Sequence, residues 1–178
     1  MCGRYFLNQE SVETYLPDIN SEVLKLVGFN EIYPSQSALV KTKHNFGAQN
    51  WGYQTTFSSQ LIINARLETI LEKPLFKDDY QKRRCIIIAS SYFEWSDKIK
   101  YQLNTPNPLI YFAGIYQNEE NPEFTIITKA AQNEIDWVHH RMPVILNGQT
   151  ASYYLAGTDL NKLILPINLN VNQINENT

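Results

Sequence analysis

Cys85-Ile86-Ile87-Ile88-Ala89-Ser90-Ser91-Tyr92-Phe93-Glu94-Trp95 is the stretch on which the fold turns. Its first five residues are a short, unbroken apolar run, the length of a strand covered on both faces. After two serines, Tyr92 to Trp95 continues as a second piece of the same strand. Working outward, the same short apolar runs and period-two patterns recur on both sides. Upstream, Ala38 to Lys41 and Phe46 to Tyr53 read as strands, the second carrying Trp51-Gly52. Downstream, Leu109 to Ile115 and Phe124 to Thr128 form two more, joined by the polar turn Asn118 to Pro122, and Met142 to Leu146 returns as another.

Helices are few and short. Ser11 to Tyr15 is one, stopped by Pro17, and Asn64-Ala65-Arg66 opens another over Leu67 to Glu72 that ends before Pro74. Others are expected at Lys77 to Gln81, at Thr150 to Leu155, and at Ala131 to Trp137, which would deliver His139 at its end. From Asn168 the chain is rich in Asn and loses periodicity, an extended or disordered end. The pattern predicts one mainly antiparallel α+β domain over residues 1–167, followed by a polar tail over 168–178.

With 178 residues, the chain is long enough to bury a core without disulfide or metal staples. No apolar run is long enough to span a membrane, and no signal-peptide pattern opens the chain, so a cytoplasmic protein is expected. Cys2 and Cys85 are expected as free thiols. No Cys or His spacing suggests a zinc site. On any regular element His139 and His140 would point their rings in different directions, so neither metal nor other cofactor is expected. The net charge of −3 argues against a general nucleic-acid binder. Basic groups still gather at Lys41-Thr42-Lys43-His44, at Lys82-Arg83-Arg84, and at Arg4, Arg66 and Arg141. Several on one face would make a local groove for phosphates.

Four places carry residues suited to chemistry. Removal of Met1 would leave Cys2 with a free α-amine beside its thiol, a 1,2-aminothiol able to trap an aldehyde as an imine and then a five-membered ring. A free α-amine has a reference pKa of about 7.7–8.0, so a useful fraction is neutral near pH 7. A neighbouring cation such as Arg4 would activate the thiol. Asn64 offers a neutral donor and acceptor, with Arg66 and Glu68 just beyond it. Glu94 lies among bulky aromatics, where desolvation should raise its pKa and suit it to acid–base work. His139 titrates near neutrality and precedes Arg141 by two residues. Taken singly, each has an ordinary structural explanation: a strand residue, a helix cap, a solvent-facing or ion-paired carboxylate, a junction histidine.

Their order is more telling. Met-Cys-Gly-Arg-Tyr at the start is followed by Trp-Gly, Asn-Ala-Arg-x-Glu-Thr, Arg-Arg-Cys with a downstream Glu-Trp, Ala-Gly, Thr-Ile-Ile-Thr, and His-x-Arg-Met-Pro-Val-Ile-Leu. From Cys2 to about Leu155 this closely resembles the SOS-response-associated peptidase (SRAP) family. The resemblance implies a curled β-sheet core with a positively charged groove. It also implies covalent capture of abasic sites in single-stranded DNA, with Cys2 forming a thiazolidine, Asn64 positioning, Glu94 opening the sugar ring, and His139 assisting at the imine. By the same resemblance Arg4, Arg66, Arg84 and Arg141 would contact DNA and Trp51 would stack beside a base. A cytoplasmic monomer, nucleoid-associated when on DNA, is the expected form.

Two other classes of function share some of these features. Amino-terminal-nucleophile amidohydrolases also begin Met-Cys-Gly, and Asn147-Gly148 could serve an oxyanion. A noncatalytic single-stranded DNA module, or an autopeptidase acting on its own Met1, is the other.

Overall fold

The computed structural model describes residues 2–117, 120–132 and 134–175. Fifteen strands and four α-helices are present among them. The chain opens with β1 (Tyr5–Leu7), then α1 (Gln9–Tyr15), whose first turn is closed by the Asn8 side chain accepting from the Ser11 N–H at 2.8 Å. Helix α2 (Ser21–Leu26), β2 (Asn30–Ile32), β3 (Ser37–Lys41) and β4 (Phe46–Trp51) follow. Gly52 then takes φ +110°, and a Cβ there would lie 2.9 Å from Leu61 Cβ. Only glycine fits both demands. The run read as one strand through Tyr53 therefore breaks, and β5 (Tyr53–Thr55) starts a separate hairpin with β6 (Ser58–Ile62).

Strand β7 (Asn64–Arg66) precedes one turn of 3-10 helix at Leu67–Thr69, so the helix expected over Leu67 to Glu72 is shorter and Asn64 lies on a strand. Helix α3 (Pro74–Lys82) starts on its proline, which gives up no hydrogen bond there. Next come β8 (Arg84–Ala89) and β9 (Ser91–Ser96), the stretch that decides the fold. They are not one strand: β8 pairs with β3 and β11, whereas β9 pairs with β1 and β10. The switch occurs at Ser90, whose N–H donates to Phe6 O at 2.7 Å. A tight turn at Asp97 and Lys98, with φ 50° and 67°, leads into β10 (Ile99–Asn104). Positive φ at both central residues matches the right-handed twist of a two-residue hairpin.

Strands β11 (Ile110–Gln117) and β12 (Glu123–Ala130) are the longest. Of the turn expected between them, Asn118 and Glu119 lie outside the described residues. Residues Glu134 to Val138 form hydrogen-bonded turns, not the helix expected from Ala131. Beyond them β13 (Arg141–Pro143) pairs with β12, and β14 (Ile145–Leu146) pairs with β11. Helix α4 (Gly148–Leu155) is closed by a reciprocal cap between Asn147 and Thr150. Residues 170–174 form β15 (Asn170–Ile174), which adds to the edge of β10.

The architecture is mixed α+β with a curled, mainly antiparallel core. Following the pairings β3–β4, β4–β12, β12–β11, β11–β8 and β8–β3 returns to the start, so five strands close a small barrel. Closure removes the open edges that a flat sheet would expose. A second sheet of order β15-β10-β9-β1-β2 packs beside it, and Tyr5, Trp51, Tyr92, Phe112 and Phe124 interlock between them. No helix among the described residues is long and apolar enough to cross a membrane.

Candidate active site

Cys2 lies just ahead of β1, where the five-stranded sheet meets the barrel. The side-chain amide of Asn64, at the start of β7, donates to the Cys2 carbonyl at 2.9 Å. Since β7 runs parallel to β12 with Asn64 opposite Ile126, the barrel wall fixes that amide. The second sheet supplies Glu94. Tyr5 pairs with Tyr92 across β1 and β9, and Tyr92 and Glu94, two residues apart, share a face of their strand. Glu94 is only 4% exposed. Burial pushes its carboxyl above the usual range, as its aromatic surroundings suggest. The Cys2 thiol is fully buried, and burial, reinforced by the Glu94 charge, pushes it well up. Arg4 does not activate that thiol through its guanidinium, which pairs with Glu31 at 3.3 Å and lies over the Tyr33 ring.

Three buried polar atoms near this point have unused capacity: Asn64 Oδ1, Tyr5 Oη and Tyr92 Oη have no hydrogen-bond partner among the described residues. Both phenols sense the Cys2 charge. Buried polar groups are nearly always satisfied, so a cluster of unsatisfied ones suits a polar ligand or water. Among the described residues no group of three or more His, Cys, Asp or Glu is arranged to hold a metal ion.

His139 enters from the barrel side, where the Ala131 N–H donates to the His140 carbonyl at 3.0 Å and anchors the loop to the end of β12. Its Nδ1 accepts the Arg141 backbone N–H at 2.9 Å. Burial is the largest influence lowering its proton affinity. The His139 and His140 rings do not diverge; they stack with centroids 4.4 Å apart, because the segment is a bend and not a regular element.

Several residues expected to contact DNA are engaged within the protein. Trp51 has no exposed surface; its indole N–H donates to Ile63 O at 3.0 Å and its ring lies parallel to Phe124. It is a core residue, unable to stack on a base. Arg84 donates to the carbonyls of Tyr80, Tyr154 and Thr158 and packs against two tyrosine rings, tying α3 to α4. Arg141 is 9% exposed and forms a bidentate pair with Glu68 at 2.7 and 2.9 Å, adding the Thr128 carbonyl at 2.8 Å. Arg66 is exposed, and no hydrogen bond or ion pair engages it among the described residues. Asn147 caps α4 through its side-chain oxygen, which accepts the Thr150 N–H at 2.9 Å, and with Gly148 it lines a groove beside Thr105–Leu109.

Glu68 has a supporting role that its place in the sequence does not reveal. It binds the Arg141 side chain, while the Arg141 backbone holds His139. The Arg141 hydrogen bonds bring the Glu68 carboxyl down to about 2. The pair therefore contributes stability above the ordinary carboxylate range and loses it as the pH falls toward 2. Glu68→Gln is expected to lower stability by about 1–2 kcal/mol at pH 7, the lower end for a buried pair because the Glu68 side chain is 49% exposed. Thermal unfolding at pH 7 and at pH 2–3 checks this; a gap between the two proteins that does not narrow in acid would refute it.

A groove of about 590 Å³ lies elsewhere, between Thr105–Leu109 and Leu163–Asn168; it contains Asn147 and Gly148 but none of the other candidate residues.

The family model for SOS response associated peptidase (SRAP) matches residues 1–176. The chain belongs to the SRAP family. Among its SRAP relatives, abasic site processing protein YoqW of Bacillus subtilis is 30% identical over 185 residues, covering 87% of this chain and 80% of the relative. Abasic site processing protein YedK of Escherichia coli is 27% identical over 177 residues, covering 87% and 79%. A solved protein structure from Bacteroides thetaiotaomicron superposes with a TM-score of 0.83 at 21% identity, over 98% of this chain and 93% of that one, a likeness of fold.

Proposed function

We propose that this SRAP protein captures abasic sites in single-stranded DNA by a covalent bond to Cys2, after removal of Met1. The observation that carries the reading is the convergence on Cys2 of a carbonyl-gripping amide, Asn64, and a buried carboxyl, Glu94, whose proton affinity burial raises. Relatives named as abasic site processing proteins support the substrate.

The burial of the thiol suggests the order of events. A thiol held protonated is a poor nucleophile, so the freed amine adds first to the sugar aldehyde. Water leaves to give an imine. The sulfur then bonds to the imine carbon, its proton passes to the nitrogen, and a thiazolidine closes. Glu94, as a carboxylic acid, supplies the proton that opens the sugar ring. Arg66 holds a phosphate. The base-stacking role expected of Trp51 passes to Phe57, which is 73% exposed at the tip of the β5–β6 hairpin leading to Asn64.

The test is to mix the protein with single-stranded DNA carrying one abasic site and run a denaturing gel. A processed amino terminus, verified by intact mass, should give a retarded band that an intact-base oligonucleotide does not. No band from the processed protein would end the proposal. The amidohydrolase alternative places its oxyanion role on Asn147-Gly148, which line the separate groove beside Thr105–Leu109, and would need glutaminase activity to support it.

A further inference from the structure

Tyr5 and Tyr92 stand opposite each other on β1 and β9, and both are sealed from solvent. Each ring meets Phe112 edge-on with centroids 6.0 Å apart, and Trp51 lies 5.2 Å from Tyr5, so packing holds both rings in place. The core uses the rings but not their oxygens, since neither Oη has a hydrogen-bond partner among the described residues. A buried hydroxyl without a partner costs stability, and phenylalanine would fill the same space without that cost. What the two oxygens share is a neighbour: charge on the Cys2 sulfur acts on both phenols. The Arg4 backbone N–H already donates toward that sulfur. A neutral thiol is a weak acceptor and leaves further donors idle, whereas a thiolate is a strong one. Donors that idle in the ground state and engage as charge develops lower a barrier without tightening binding.

Taking its substrate from the abasic-site reading, we propose that Tyr5 and Tyr92 are catalytic residues for ring closure, their phenolic O–H groups donating to the Cys2 sulfur while it carries negative charge. Closure starts from the imine made by the freed amine. The thiol proton passes to the imine nitrogen, leaving a thiolate beside an iminium. Burial makes that thiolate costly, and the two O–H groups join the Arg4 N–H in offsetting the cost. The sulfur pair then bonds to the imine carbon, the C=N π pair moves to nitrogen, and the thiazolidine closes. Both phenols keep their protons throughout. The pair acts on this stage alone, because the amine has added before the sulfur is charged.

Tyr5→Phe and Tyr92→Phe keep the rings and remove the oxygens. On abasic single-stranded DNA each should slow the denaturation-resistant adduct roughly tenfold, and the double variant about 10²-fold. The effect of one phenol is below that of a full oxyanion-hole donor because three groups share the charge. The imine trapped by borohydride should form at the wild-type rate and accumulate. Urea midpoints should equal or exceed wild type, since an unpartnered buried oxygen has gone. Slower closure without lost stability is a result that a packing role does not give. The same rates are read with glycolaldehyde, a small hydroxyaldehyde, by intact mass with and without borohydride. Closure at the wild-type rate in the double variant would overturn the proposal, as would imine, adduct and urea midpoint all falling together. A phenol effect with glycolaldehyde but no adduct on abasic DNA would sink the abasic-site reading and leave the phenols' role standing. No closure by wild type on either aldehyde would overturn both.

Discussion

Cys2→Ala is expected to reduce the denaturation-resistant adduct to background while leaving an imine that borohydride can trap. Both halves follow from the two-stage chemistry. Alanine at the processed amino terminus retains the α-amine, and Asn64 grips the backbone carbonyl of residue 2, which the substitution does not alter. Imine formation therefore continues. What disappears is the sulfur that closes the ring. Ring closure is intramolecular, and effective concentrations for well-oriented groups reach on the order of 10⁵ M or more, which is why the thiazolidine persists and the imine hydrolyses. Cys2→Ser should resemble Cys2→Ala, since an oxazolidine is the less stable ring. A denaturing gel with and without borohydride reads the outcome. A stable adduct with Cys2→Ala would move the bond to another residue. Loss of the trapped imine as well would mean that the amine is not the first nucleophile.

How much of this was readable from the chain alone depends on range. The Cys85–Ala89 run announced a buried strand because its own five side chains carry the signal, and all five are buried. The chain's departure at Ser90 into a second sheet carries no local signal; it is imposed by partners about 50 residues and more away, β1 and β3. Strand β10 was missed for a related reason. Its Lys100 is 7% exposed and held by Glu31 at 2.6 Å, a charge buried by a partner that no local pattern reveals. Trp51 shows the same limit at a candidate site: an aromatic that could serve as a platform is instead walled in by Tyr5 and Phe124. The residues gathered at Cys2 could be picked out only by their order along the chain, through the family resemblance. Glu68 and Arg141 both lie in the quoted motifs, but nothing in the sequence shows that these residues, 73 positions apart, pair with each other.

The second large effect concerns the barrel on which the site is hung. Gly114, in the middle of β11, faces the tightest space among the described glycines: a Cβ there would lie 2.3 Å from Ile87 Cδ1, 2.9 Å from the Thr125 carbonyl oxygen and 3.2 Å from Cys85 Sγ. The Ile87 methyl could rotate, but Ile87 is fully buried and the Thr125 oxygen is backbone in the adjacent strand. Gly114→Ala is therefore expected to destabilise by about 2–3 kcal/mol, even after the few tenths to 1 kcal/mol that replacing a strand glycine should return. Gly114→Val should leave little folded protein at 37 °C. Gly47→Ala in β4, where nothing lies within 4 Å of the added carbon, is the matched control and should be neutral or slightly stabilising. Urea unfolding of the three proteins measures this directly, and equal midpoints for Gly114→Ala and Gly47→Ala would contradict it. Since Asn64 reaches the site from a strand carried by β12, the partner of β11, a folded Gly114→Ala protein assayed in the cold should also show whether adduct formation depends on the barrel's register or only on its survival.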